Sequence, residues 1–193
     1  MNKIAIFASG SGTNAENIAL HFRNHPSVVV DSIYCNKPDA FVLQRAERLG
    51  IPAFLFQRES FYQSSDLLET LQQRKIDYLI LAGFLWLIPA YLIQAYPQRI
   101  INIHPALLPK YGGKGMYGMH VHEAVKNSGD KETGISIHFV NEHYDEGNII
   151  FQARCAISPT DSPAAIAEKV HQLEYTYFPQ TIEKVILSGK YQH

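Results

Sequence analysis

From Lys3 to Ile103, short apolar runs alternate with helix-patterned stretches, and this rhythm constrains the fold more than any other feature. Lys3–Ala8, Ser27–Cys35, Ile51–Phe56, Ile76–Leu81 and Arg99–Ile103 read as strands, being short, apolar or β-branched, and bounded by turn residues. Between them, Thr13–Asn24, Asp39–Leu49, Ser64–Arg74 and Pro89–Tyr96 read as helices. Asp39 is an N-cap candidate, Gly50 closes the second helix, and Pro89 suits a first turn. Repeated strand–helix units imply a mostly parallel, twisted sheet with helices on both faces.

After residue 104 the rhythm changes. Pro105–Tyr117 is a loop carrying Gly112, Gly113 and Gly115, followed by a helix through Val125. Thr133–Asn141 and Asn148–Ile157 read as two strands joined by a short loop, a late antiparallel pair. Asp161–Leu187 is a long helical stretch that opens on Asp161 or Ser162 with Pro163 just inside. Pro179 marks a point where that helix can kink or divide. The expected class is therefore α/β, Rossmann-like, in a single domain over 1–193, with no repeat or interdomain linker.

Composition narrows the function. The net charge is -1 and no basic run stands out, so a nucleic-acid surface is not expected. The most apolar segment, Tyr78–Ile93, is broken by Gly83 and Pro89 and is shorter than a bilayer span, so no membrane association is expected. No secretory leader is legible in the first residues. Cys35 and Cys155 do not make a disulfide framework; reduced thiols in a cytoplasmic protein are the expectation.

Ligands of open α/β sheets bind beyond the carboxyl ends of the strands. Ser9–Asn14, Gly83–Ile88 and Asn102–Pro109 all lie at such ends and should share one rim. In the first segment, glycines and a helix start suit a phosphate. Gly10, Gly12 and Ala15 also fit a loose dinucleotide fingerprint, and a plain structural turn is the third reading. The dinucleotide reading wants an acid at the end of the second strand. Asp31 lies inside that strand, while Asn36 and Lys37 stand at its end. No Gly-Lys-Ser/Thr follows, which excludes a P-loop.

Asn102 and His104 are two apart on an extended chain and point to the same side. An Asn amide and a His ring side by side can hold a carbonyl oxygen and the oxyanion that forms when a nucleophile attacks it. A nearby carboxylate would favour the charged imidazole, and Asp145 is the best candidate. Read alone, a loop Asp such as Asp145 is more often a turn residue.

With Ser9–Asn14, Ala82-Gly83-Phe84, the run Asn102-Ile103-His104-Pro105-Ala106-Leu107-Leu108-Pro109, Gly134–Val140, Asp145, Gly147 and Glu174 in view, the chain resembles the folate-dependent formyltransferases along nearly its whole length. The resemblance is strongest to the branch whose acceptor is the amine of glycinamide ribonucleotide. It implies a formyl transfer from 10-formyltetrahydrofolate as co-substrate, small-molecule substrates, no metal, and a monomer or homodimer. It implies catalytic roles for Asn102, His104 and Asp145, with Asp145 holding His104 charged and oriented. It implies ribonucleotide contacts from Gly12, Thr13, Asn14 and Glu174. It implies a folate slot built from Leu85, Trp86, Leu87 and Ile88, with Asn102 at its end and Asn141, Glu142, His143, Tyr144 and Asp145 closing it.

Trp86 stands where relatives often carry Arg, and the family's Arg after the third strand has no equivalent in register, Arg58 being the nearest. The Gly-rich segment Tyr111–His120 is longer than the family's shorter versions and reads as a lid or as a branch-specific insertion. His120 and His122 have metal-like spacing but no Cys or acid cluster to complete a site. His138 alternates with apolar residues and reads as a packed or supporting group.

Overall fold

The computed structural model describes residues 1–189. Seven strands form one sheet: β1 (Asn2–Ala8), β2 (Val28–Cys35), β3 (Ala53–Leu55), β4 (Tyr78–Leu81), β5 (Ile100–His104), β6 (Glu132–Phe139) and β7 (Ile149–Ala156). Their order is β3-β2-β1-β4-β5-β6-β7. The first five are parallel, and β5, β6 and β7 pair antiparallel, as the change of rhythm after residue 104 implied.

Successive side chains of a strand point to opposite faces, and each face here has its own core. Ile4, Ile6, Ala8, Ile80, Ile101, Ile135 and Ile137 lie in one. It is covered by α1 (Thr13–His21), α2 (Val42–Leu49), α6 (Met119–Ser128) and α7 (Pro163–Ser188), through residues such as Ile18, Ala46, Val125, Val170 and Ile182. Ala5, Phe7, Leu79, Leu81 and Ile100 lie in the other, covered by α3 (Arg58–Gln63), α4 (Asp66–Gln73) and α5 (Ala90–Ala95) through Phe61, Leu71 and Leu92. Burial on both faces is why β1 and β4 are written as unbroken apolar runs.

Three expectations need correction. The third strand is only Ala53–Leu55, because Pro52 offers no N–H and the pairing with β2 runs only from Ala53 to Leu55. The segment between Phe56 and Ser64, assigned no element from the sequence, contains the helical turn α3. Its sequence RESFYQ has modest helix propensity; the complete burial of Phe61 among aromatic rings supplies the drive instead. The late helix is one element of 26 residues, not divided at Pro179.

The proline leaves its mark elsewhere. Pro179 has no N–H to donate to the carbonyl four residues back. That carbonyl, on Tyr175, instead accepts from Asn17 Nδ2 of α1 at 2.8 Å. A second tie lies one turn away, where Asn14 Nδ2 donates to Glu174 Oε2 at 2.8 Å. The two helices are thereby fixed against each other beside the β1 loop.

We expect Asn17→Ala to cost about 1 kcal/mol in urea unfolding. In a Pro179→Ala background, where residue 179 regains its N–H, the same substitution should cost close to nothing. Equal costs in the two backgrounds would show that the proline does not create the need for Asn17.

Candidate active site

The chain crosses from one face of the sheet to the other between β1 and β4, and the loops after these strands diverge there into a cleft of about 770 Å³. They are stitched together at its base. Ser9 N–H donates to the Gly83 carbonyl at 3.0 Å, and Leu85 N–H donates to Ser9 Oγ at 3.1 Å. All three rim segments read from the sequence contribute to the lining.

One end of the cleft is the start of α1. Gly12 caps it in the left-handed region at φ 75° and makes no side-chain cap, so the first-turn N–H groups are not taken by a capping side chain. A Cβ at Gly12 would press into Val42 at the start of α2, so neither its φ nor its surroundings admit a side chain readily. Thr13, Asn14, His171 and Glu174 surround this end. Glu174 is buried and accepts from both Asn14 and His171, the latter at 3.0 Å. Asp31, the acid a dinucleotide site would need, is engaged away from the loop by Lys3 at 3.1 Å and Arg74 at 2.6 Å.

The cleft floor is the end of β5. The antiparallel register sets Asn102 opposite His138 and His104 opposite Ser136, so Asn102, His104 and His138 share a face. Asn102 Nδ2 lies 3.0 Å from His138 Nε2 and 3.5 Å from Asp145 Oδ1. His138 Nδ1 faces the Phe139 carbonyl at 2.8 Å, which assigns its proton to Nδ1 and leaves Nε2 to accept from Asn102. Asp145 Oδ2 lies 3.5 Å from His104 Nδ1 and accepts the Gly113 N–H at 3.0 Å. Asp145 itself sits at φ 57°, held in a tight loop whose Gly147 approaches the Phe139 carbonyl too closely for any Cβ. The sequence-predicted trio is therefore assembled here, and His138 joins it as a fourth member.

His104 faces an acceptor on each side, because its Nε2 lies 2.7 Å from the Tyr111 carbonyl. A neutral ring has one proton and cannot satisfy both. Even so, burial depresses the His104 pKa below its ordinary value, outweighing the opposing pull of Asp145 and the Tyr111 carbonyl. Desolvation thus works against the charged ring that Asp145 favours. Burial also acts to raise the Asp145 pKa, but the neighbouring His138 and His104 rings and the Gly113 N–H together keep it below the usual carboxylate value. Asp145 is thus ionised and His104 neutral near neutral pH, poised so that new negative charge in the cleft would draw a proton onto the ring.

The opposite wall carries Leu85, Trp86, Leu87 and Ile88, facing His143, Tyr144 and Asp145. Asn141 and Glu142 do not line the cleft; Asn141 Oδ1 instead accepts the His143 N–H at 3.0 Å and shapes the turn. Trp86 packs among Phe56, Phe61 and Phe84, with the Arg58 guanidinium 5.8 Å over its ring. Arg58, out of register in the sequence, thus reaches the cleft wall. Residues Gly113 to Met119 of the Gly-rich segment form another part of the lining. His120 is exposed beside Glu123, whereas His122 is buried and lines the cleft, so the two do not converge. Among the described residues, no group of three or more His, Cys, Asp or Glu side chains is placed to hold a metal. No helix among them is long and apolar enough to cross a membrane.

His138, Lys37, Arg58, Lys114, His122 and His171 also line the cleft, and none was singled out as a site residue from the sequence. The His138 signal was present only as a polar residue at an inward strand position, and its partner could be found only through the strand register.

A pH dependence follows from His104. Its folded pKa lies below the unfolded value of roughly 6.5, so on acidification the unfolded chain binds the proton first. The stability of the wild type relative to His104→Gln should therefore fall as pH drops through that value, as read by urea unfolding at several pH values. A rise, or no change, would contradict the depressed pKa.

Comparison with known proteins places this arrangement. Residues 2–182 match the formyl transferase family. The chain is 40% identical over 187 residues to the chloroplastic phosphoribosylglycinamide formyltransferase of Arabidopsis thaliana, covering 93% of this chain and 64% of that protein. It is 35% identical over 191 residues to the phosphoribosylglycinamide formyltransferase of Bacillus subtilis, covering 96% of this chain and 95% of that one. It spans 60% of the cowpea (Vigna unguiculata) relative, so less than two thirds of either plant protein. Among solved structures, the phosphoribosylglycinamide formyltransferase of Bacillus halodurans superposes with a TM-score of 0.86 at 32% identity, over 100% of both chains. That of Anaplasma phagocytophilum gives 0.87 at 28% identity, over 96% of this chain and 87% of the other.

Proposed function

The chain belongs to the formyl transferase family, and on that premise we propose that it transfers the formyl group of 10-formyltetrahydrofolate to the amine of glycinamide ribonucleotide. The products are formylglycinamide ribonucleotide and tetrahydrofolate, a step of de novo purine biosynthesis. The observation that carries the reading is the cluster of Asn102, His104, His138 and Asp145 on the floor of a cleft whose two arms suit two different substrates.

The ribonucleotide phosphate sits on the N–H groups at the start of α1, from Gly12 to Asn14, with Glu174 toward the ribose. The folate enters between Leu85–Ile88 and His143–Asp145, where an apolar wall and main-chain groups match a flat, hydrogen-bonding ring. Arg58, stacked over Trp86 at the rim, is placed to meet the carboxylates of the folate tail.

The acceptor's free amine attacks the formyl carbon, and the carbonyl oxygen becomes an oxyanion. Asn102 donates from Nδ2, held in place by His138. The oxyanion's charge raises the basicity of the buried His104 ring, which takes up a proton from solvent, answers as a cationic donor and returns that proton when the intermediate collapses. Collapse expels N10 of the folate, which needs a proton, while the attacking nitrogen must lose one. Asp145, kept ionised, relays that proton through a water and does not store it. Each donor of this kind typically contributes about 2.7–4 kcal/mol of barrier lowering.

His104→Ala and Asp145→Asn should therefore fold and yet lose about a hundred-fold or more in kcat. The assay is tetrahydrofolate release by absorbance, with and without glycinamide ribonucleotide. Release only with the ribonucleotide supports the reading. Release without it would indicate a hydrolase, and near-normal turnover in either variant would remove these residues from the mechanism.

A further inference from the structure

Tyr111 is held from two sides. Its carbonyl accepts from the His104 ring at 2.7 Å, inside the protein. Its phenol lies on the other side of the loop, with the hydroxyl 2.6 Å from Ser128 Oγ and 2.7 Å from Asp130 Oδ2. Asp130 also accepts from Lys110 Nζ at 3.1 Å, and with Asp130 taking the phenol's proton, Ser128 Oγ at the end of α6 can donate to the phenol oxygen. None of Lys110, Tyr111, Ser128 or Asp130 lines the cleft.

The anchor has a reason in the backbone. Tyr111 sits at φ 58°, a left-handed conformation uncommon for a bulky side chain. With nothing gripping the phenol, the peptide would be free to rotate out, taking the carbonyl from His104. Two residues on, the Gly113 N–H caps Asp145 at 3.0 Å. One short segment thus delivers the acceptor for His104 and the donor for Asp145.

We propose that Tyr111 is a positioning residue, and that the clamp of Asp130 and Ser128 on its phenol, outside the cleft, fixes the orientation and basicity of His104 within it. The proposal rests on the catalytic reading of His104 but is tested apart from it. Besides the Tyr111 carbonyl, the groups acting on His104 are Asp145, His138 on β6, Glu174 on α7 and His122 on α6. Loosening the clamp leaves those in place and removes one acceptor. The imidazolium is then less favoured, so His104 should titrate at lower pH. Whichever form of the ring acts, the limb of the kcat–pH profile that follows His104 moves in the same direction.

The test uses Tyr111→Phe and Asp130→Ala. The second alters a partly exposed side chain and keeps the test standing if the first folds poorly. The His104 ring is followed by NMR titration of histidine-labelled protein, its signal identified by its absence from His104→Gln. We expect the midpoint to fall by about half a pH unit in both variants. We expect kcat to fall about ten-fold with both KM values within about two-fold of wild type. An unmoved His104 midpoint in the folded variants overturns the proposal, whatever their activity. So does a rise in KM at constant kcat, which would make the segment a substrate contact only. If the wild type proved inactive in formyl transfer, the proposed function would fail, and the titration alone would still decide whether the clamp sets His104.

Discussion

The site depends first on the pairing of β6 against β5. A parallel neighbour would have offered evenly slanted bonds and no directly opposed pair at this position. The antiparallel register sets His138 squarely against Asn102, and the loop that leaves β6 then returns Asp145 to the same spot. A neutral amide, two imidazoles and a carboxylate come together from three stretches of chain. Each has partners in the low dielectric of the floor, where such contacts are electrostatically stronger than in water. The reversal of strand direction at the end of a parallel sheet is therefore what converts a common crevice into a reactive one.

Much of this was readable because much of it is local. The strand–helix rhythm, the buried character of β1 and β4 and the three rim loops follow from runs of a few residues, and the structure keeps them. Asn102 and His104 were readable as a pair because two residues along a strand share a side. What was not readable depends on contacts between distant segments. His138 looks like any polar residue in an alternating strand until its register is known. The turn α3 has little helix propensity and exists because Phe61 finds an aromatic pocket. The charge on His104 could not be read because burial and a carboxylate pull it in opposite directions, and only the packed structure says which prevails.

The two arms of the cleft are built differently. The arm proposed for the ribonucleotide is framed by helix ends and by side-chain bonds between α1 and α7. The arm proposed for the folate is framed by main chain, by aromatic rings and by a Gly-rich segment. Such a division suits a reaction in which one partner must be held by its charge and the other by its shape. It also places the Gly-rich wall next to His104 and Asp145, the groups whose electrostatics the proposed reaction would change.

Pro179 has a consequence beyond the bond it forgoes. A long helix presents the same ladder of satisfied carbonyls at every turn, and a neighbouring helix can find several equivalent seats along it. By vacating one carbonyl at a single height, the proline makes α7 uneven, and Asn17 fits that one notch. The helix carries, in effect, a key that fixes the axial setting of α1. Because α1 is capped by Gly12, the same key fixes how far the start of that helix stands from the cleft floor. A residue usually counted as a helix breaker serves here as a spacer gauge between two ends of the cleft.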